Sequence, residues 1–339
     1  MKRHKICKII LAILAVFLCV AFYELIGICI TYKKQPAVSD ATIKETQNIM
    51  SVAGRENTER AVIIEKNSQA LLERVRLIQN AKDEIILSTF AFKSDESGKL
   101  ILGALHDAAD RGVHVRILVD GMESWIDMEG NPYFYGLSSH ENVEIKLYNK
   151  ANPLKPWKTM GRMHDKYLIA DGKIYILGGR NTYNYFLGDF PGHKNFDRDV
   201  LVVCDEPQKD NSVNQLWNYF ETIWEQEDCR YFHNSKKLAD RQSVKKAVLE
   251  LQEGYQQYFE VNKEKICDTD YADETFETEK ITLLSNPIHT QAKEPVVWYQ
   301  LGELMKNAKE RVKIHTPYII CNDMMYNTWE EIAQKVPDF

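Results

Sequence analysis

No two of the seven cysteines stand at the pair spacing of a zinc site. Cys7, Cys19 and Cys29 fall in or beside one apolar run, while Cys204, Cys229, Cys267 and Cys321 are scattered. That spread argues against a structural metal and leaves the redox compartment open. Positive charge is not in excess either: 43 Lys and Arg face 49 Asp and Glu, a net charge of −6. Such a balance disfavours a general nucleic-acid-binding surface. No clear Ala-x-Ala site follows the N-terminal apolar run, which weighs against a cleaved leader. A last scarcity bears on chemistry: the pattern His-x-Lys-x(4)-Asp occurs once, because His193 is followed directly by Lys194 and His315 by Thr316.

That one occurrence is His164-Asp165-Lys166-Tyr167-Leu168-Ile169-Ala170-Asp171, with Gly178-Gly179-Arg180-Asn181 after it. Asp171-Gly172 reads as a two-residue hairpin turn between two apolar strands. Side chains alternate along a strand, so His164, Lys166 and Leu168 share a face. With that turn, Lys166 is expected opposite Leu177, and Gly179 opposite His164, where a missing side chain leaves room for a phosphate. An imidazole with a pKa near ~6.5 is partly neutral at physiological pH and can attack phosphorus. A lysine offsets charge on the non-bridging oxygens, and the asparagine amide donates to them. Attack through a phosphohistidine divides one hard displacement into two easier ones. A second histidine is needed to protonate the leaving oxygen. The scheme requires no metal and no other cofactor.

The pattern H-x-K-x(4)-D-x(6)-G-G-x-N resembles the signature of the phospholipase D superfamily, and its Gly-Gly-Arg-Asn form is similar to the cardiolipin-synthase-like branch. The resemblance implies an α/β fold, a mixed sheet flanked by helices. It implies catalytic roles for His164, Lys166, Asp171 and Asp199, with Asp171 supporting the motif structurally. Asp199, from Asp197-Arg198-Asp199 before the next strand, is the better fit for orienting a catalytic histidine. Lys166, Gly179 and Asn181 are the expected phosphate-binding residues. The expected substrate is a phospholipid such as phosphatidylglycerol, and no nucleic-acid partner is expected. A nuclease of the same superfamily is the alternative enzyme.

The segment from Leu77 recurs from Leu304: Asn80, Ala81, Lys82 and Thr89 match Asn307, Ala308, Lys309 and Thr316 at a constant offset of 227. Both copies read as the end of a helix, a break, a buried strand and then a further helix, which signals duplicated architecture. By that offset a second motif is expected near position 391, beyond Phe339. The expectation is a chain truncated within its second half. Its second histidine would come from a homodimer or a paralogue; otherwise the chain is a catalytically silent interaction subunit.

Ile9 to Ile30 is apolar but for Glu24, and at ~1.5 Å per residue it covers a ~30 Å hydrocarbon layer. Lys2, Arg3, Lys5 and Lys8 precede it; Lys33 and Lys34 follow. A single-pass anchor is expected, with the catalytic part extracytoplasmic. The domain reading is an anchor over 1–34, a tether over 35–64, and a first domain with a bridging helix over 65–263. An acidic solvated linker follows over 264–280, then an incomplete second domain over 281–339. Within the first domain, 122–139 reads as an aromatic loop. Lys150, Lys155, Lys158 and Arg162, interleaved with Pro153, Pro156 and Trp157, read as a basic loop at the mouth of the site that suits anionic headgroups.

Overall fold

Short Ile, Leu and Val runs alternate with amphipathic stretches through the middle of the chain, and each becomes the element its period dictates. The computed structural model describes residues 2–51, 59–233, 235–316 and 318–339. In chain order they form α1 (Lys2–Tyr32), α2 (Asp40–Ser51), β1 (Glu59–Ile64), α3 (Asn67–Asn80), β2 (Glu84–Thr89), α4 (Glu96–Asp110) and β3 (His114–Asp120). There follow α5 (Glu123–Asp127), α6 (Pro132–Ser138), β4 (Val143–Tyr148), β5 (Tyr167–Ala170), β6 (Ile174–Gly178), β7 (Asp199–Cys204) and α7 (Ser212–Trp224). The last are β8 (Cys229–Tyr231), α8 (Gln242–Cys267), β9 (Phe276–Glu277), α9 (Val296–Lys306) and α10 (Asp323–Lys335). Two compact units result: Glu56–Ile281, and Met1–Arg55 together with Thr282–Phe339.

The larger unit is built on one mixed sheet in the order β8-β4-β3-β2-β5-β6-β7-β1-β9. β2, β3 and β4 run parallel, whereas β5, β6, β7 and β1 join as an antiparallel series. Both faces are covered, which is why the central strands read as continuous apolar runs. On one face Ile85, Leu87, Val115, Ile117, Val119 and Leu168 share a core with Leu71, Val75, Leu102 and Leu105 of α3 and α4. On the other, α7 packs so that Arg116 lies 4.8 Å over the Phe220 ring and Lys146 donates to the Trp224 carbonyl.

The directions of the strands put one set of loops at one end of the sheet. β2, β3, β4 and β6 finish there, and β5 and β7 begin there. Residues 90–95, 121–131, 149–166 and 179–198 therefore make one rim, and it carries His164.

Four expectations are corrected by the fold. The Asp171-Gly172 turn closes, both residues at positive φ and the Lys173 N–H donating to the Ala170 carbonyl, but Ala170 pairs with Ile174 rather than Lys173, so the register slips by one. Lys173 is the extra residue, and its carbonyl accepts from the Cys204 N–H of β7. Lys166 consequently stands across from Gly178, whose N–H donates to the Lys166 carbonyl at 3.1 Å. Secondly, 59–64 is a sheet strand paired with β7, not tether; residues 52–58 of that expected tether lie outside the described residues. Thirdly, the acidic segment packs onto the domain: Arg76 donates to the carbonyls of Asp268 and Asp270 and to the Glu274 carboxylate, and stacks on Tyr271. Fourthly, 122–139 is two short helices, and Phe134 and Leu137 fill the core.

In the smaller unit, α9 and α10 match the helices expected of the repeat. The intervening strand does not form; Arg311 makes only an isolated bridge to Asp338. A strand needs a neighbour to take its hydrogen bonds, and none is present among the described residues of this unit. α1 is the one described helix long and apolar enough to cross a membrane, and its apolar side chains are exposed.

Candidate active site

His164 and Lys166 lie on the run-in to β5, just before the ladder starts, in backbone held from two sides. The buried Asp120 carboxylate, at the end of β3, accepts the N–H groups of Met122, Glu123 and Met163. Arg162 lies 3.4 Å from that carboxylate and donates to the Asn149 carbonyl. Met163 is thereby fixed, and His164 follows it onto the rim. The His164 ring is exposed and meets Phe90 edge-on, 4.6 Å between centroids. Among the described residues it takes no hydrogen-bond partner.

Lys166 is 6% exposed. Its ammonium donates to the His164 carbonyl at 2.6 Å and lies 5.5 Å over Phe90, and no described carboxylate pairs with it. Asp165, on the opposite face by strand alternation, accepts instead from the Tyr219 hydroxyl of α7. Asn181 is buried; its side-chain oxygen accepts the Ala91 N–H at 3.1 Å, which fixes the carboxamide and leaves the amide nitrogen for another acceptor. Thr182 ties the same segment to the end of β2 through Ala91 and Phe92.

Desolvation lowers the His164 pKa, and the neighbouring Lys166 charge lowers it further. The Lys166 ammonium is itself pushed down to about 8 by burial, against the opposing pull of Asp165 and Asp197. At pH 7 the pair is a neutral imidazole beside a still mostly charged ammonium. No described carboxylate forms an ion pair with the cation, and a phosphate would supply that partner.

Asp171 and Asp199 lie elsewhere. Asp171 is at the far end of β5, roughly 16 Å from Lys166 at ~3.3 Å per residue. It adopts φ +52°, and its carboxylate accepts the N–H groups of Lys82, Asp83 and Glu84, anchoring the entry of β2. Asp199 does not reach the imidazole. It is buried between two arginines, 2.9 Å from Arg74 and 3.2 Å from Arg180.

Gly178 and Gly179 are bare for the sake of the aspartates. A Cβ on Gly178 would run into the Asp199 carboxylate, and one on Gly179 into that of Asp197. The space expected for phosphate beside Gly179 is therefore occupied by Asp197, a correction that follows from the register slip. Gly178→Ala is expected to cost about 1–3 kcal/mol by overpacking against the β7 backbone, read as a lowered urea midpoint with unchanged slope.

The sequence reading missed Phe90, Asp120 and the Arg74–Asp199–Arg180 cluster. Phe90 ends an apolar run like any strand residue. Only the pairing of β2 with β5 brings it to His164.

Residues 75–224 match a family model described as "Cardiolipin synthase, PLD-like domain". The chain is 27% identical over 307 residues to a Helicobacter pylori "Uncharacterized protein", covering 82% of this chain and 58% of that one. It is 29% identical over 154 residues to cardiolipin synthase C of Escherichia coli, covering 41% of this chain and 31% of the relative. Among solved structures, phosphatidylserine synthase of Haemophilus influenzae matches with a TM-score of 0.45 and 15% identity, over 65% of this chain and 48% of that one. The chain thus spans less than two thirds of the length of each.

Proposed function

Because this chain belongs to the phospholipase D superfamily, on its cardiolipin-synthase-like branch, we propose that it is a membrane-anchored phosphatidyltransferase or phosphodiesterase working through a phosphohistidine at His164. The observation that carries this reading is a buried ammonium without a carboxylate partner, set beside an exposed, neutral imidazole. A phosphodiester seated there places its non-bridging oxygens on Lys166 and on the Asn181 amide. A ring nitrogen of His164 bonds to phosphorus as the bond to the leaving alcohol breaks. The leaving oxygen takes a proton from a second histidine, which lies outside the residues described at this site. The incoming hydroxyl, of a second lipid or of water, then returns that proton and releases the imidazole. α1 is the proposed anchor, with the basic N-terminal flank on the cytoplasmic side.

A second reading is favoured by the Asp197 carboxylate filling the space beside Gly179: a silent subunit that lends an interface to an intact paralogue. Incubating the reconstituted chain with phosphatidylglycerol, and following cardiolipin, phosphatidic acid and glycerol, separates the two. Single-stranded DNA run in parallel tests the nuclease alternative, and DNA cleavage without lipid turnover would overturn the lipid assignment.

The pKa directions set a pH profile. His164 attacks only when neutral, so kcat/KM rises with pH through a value below the ordinary imidazole one. Lys166 helps only when charged, so kcat/KM falls again through about 8. Lys166→Arg, which stays charged, should keep the acid limb and the fall set by the protonated second histidine, and lose only the component near 8. A component near 8 that persists in that variant would be assigned to another group.

A further inference from the structure

The two ends of the sheet in the larger unit differ in what they expose. At the Asp171 end, the connections over 81–83, 111–113, 139–142, 171–173 and 205–211 expose no large apolar side chain. The rim at the His164 end does the opposite. Trp125 is 60% exposed, Ile126 75%, Leu154 77%, Trp157 41%, Met160 57% and Phe196 84%. They come from α5 and two separate loops, so no single misfit segment accounts for them, and clustered exposed apolar side chains mark contact surfaces.

The loop that contributes three of them is built to hold its shape. Asn149 adopts φ +48°, and its amide donates to the carbonyls of Lys158 and Gly161, closing the loop across its base. Lys158 is tied to Asp228 at 2.5 Å. Lys150 and Lys155 on the same loop are exposed and make no ion pair with a described residue. A pinned loop loses little freedom on docking.

We propose that this rim is a membrane-docking surface, in which the six apolar side chains enter the interfacial layer of an anionic phospholipid bilayer while Lys150 and Lys155 pair with lipid phosphates. The inference rests on the phospholipid reading of the site and deepens it: headgroups reach His164 without the lipid leaving its bilayer. Charge complementarity commits the surface to an anionic membrane, since the unpaired lysines stand out on a chain of net charge −6. Tryptophans suit the interface by their amphipathic rings. Four of the six residues are not tryptophan or tyrosine, and the aliphatic Ile126, Leu154 and Met160 offer bases no stacking face, which disfavours single-stranded nucleic acid.

Tryptophan fluorescence tests it, because α1 contains no tryptophan and its insertion is silent. The full chain carrying His164→Ala, which removes turnover, is reconstituted into phosphatidylcholine vesicles with and without phosphatidylglycerol, with brominated acyl chains as quencher. Quenching is expected, and expected to fall at least about twofold when Trp125→Phe and Trp157→Phe are added. Lys150→Glu with Lys155→Glu should bring quenching in phosphatidylglycerol vesicles down to the level in neutral ones. Equal quenching in the parent and the double tryptophan variant would overturn the proposal. So would an emission change with a single-stranded oligonucleotide and none with brominated lipid. Quenching that behaves as expected, together with no lipid turnover by the chain with native His164, would leave the docking surface standing and remove the catalytic reading.

Discussion

His164→Ala lowers phosphatidyl transfer and phospholipid hydrolysis by at least about 10²–10⁴-fold, the range for losing one acid–base group, with more expected where the group is also the nucleophile. The fold should not notice. The ring is exposed, has no hydrogen-bond partner among the described residues, and meets Phe90 edge-on. Surface changes of that kind stay within about ±0.5 kcal/mol. The check is a pair of measurements on one preparation: product formation from phosphatidylglycerol, and the urea midpoint by tryptophan fluorescence. Activity lost together with stability would indicate a structural role. Activity kept at the parent level would assign the turnover to a contaminant or to another site.

Asp199→Asn has the opposite signature, a large loss of stability from a residue that does not touch the imidazole. Its carboxylate lies between Arg74 and Arg180, whose side chains are 5% and 0% exposed. Arg180 is further held by the carbonyls of Ile64 and Glu65 and by Asn67, so it cannot swing out to water. Removing its negative charge leaves two buried cations without their ion-pair partner, which typically costs about 3–5 kcal/mol. That is a large share of the ~5–15 kcal/mol that holds a domain together. Adding Arg74→Met should recover part of the loss, because one orphaned charge goes with it. A double-mutant cycle by urea unfolding reads both effects. A loss below about 1 kcal/mol for Asp199→Asn would mean that the cluster is hydrated.

Much of this architecture was legible because burial leaves a periodic trace. The runs at 84–89, 114–120, 143–148 and 199–204 and the helices on either side of them follow from apolar spacing alone. The one-residue slip at Asp171-Gly172 was not legible. The dipeptide makes its turn, but Lys173 after it is an extra residue whose carbonyl is taken by a strand thirty residues on. The slip matters for the site: it takes Gly179 away from His164 and puts Gly178 opposite Lys166. The packing of residues 268–277 was hidden for a related reason: the segment is largely polar and acidic, and Arg76, reaching from α3, and Arg60 of β1 make it a packed one. β1 did leave an apolar trace, Ala61 to Ile64, which a tether reading passes over. His164, Lys166 and Asn181 could be read as a group because they sit on two adjoining strand ends. Asp199 could not be separated from a histidine-orienting role by spacing, since nothing in sequence shows that Arg74 and Arg180 claim its carboxylate.

The most direct measurement quenches turnover of the full chain with phosphatidylglycerol in alkali, where a phosphoramidate survives, and maps the adduct by mass spectrometry. A phosphatidyl adduct on the peptide bearing His164, absent from the Lys166→Met variant, is the expected result. Turnover that proceeds with that peptide unmodified, or with the adduct on a different residue, would contradict it.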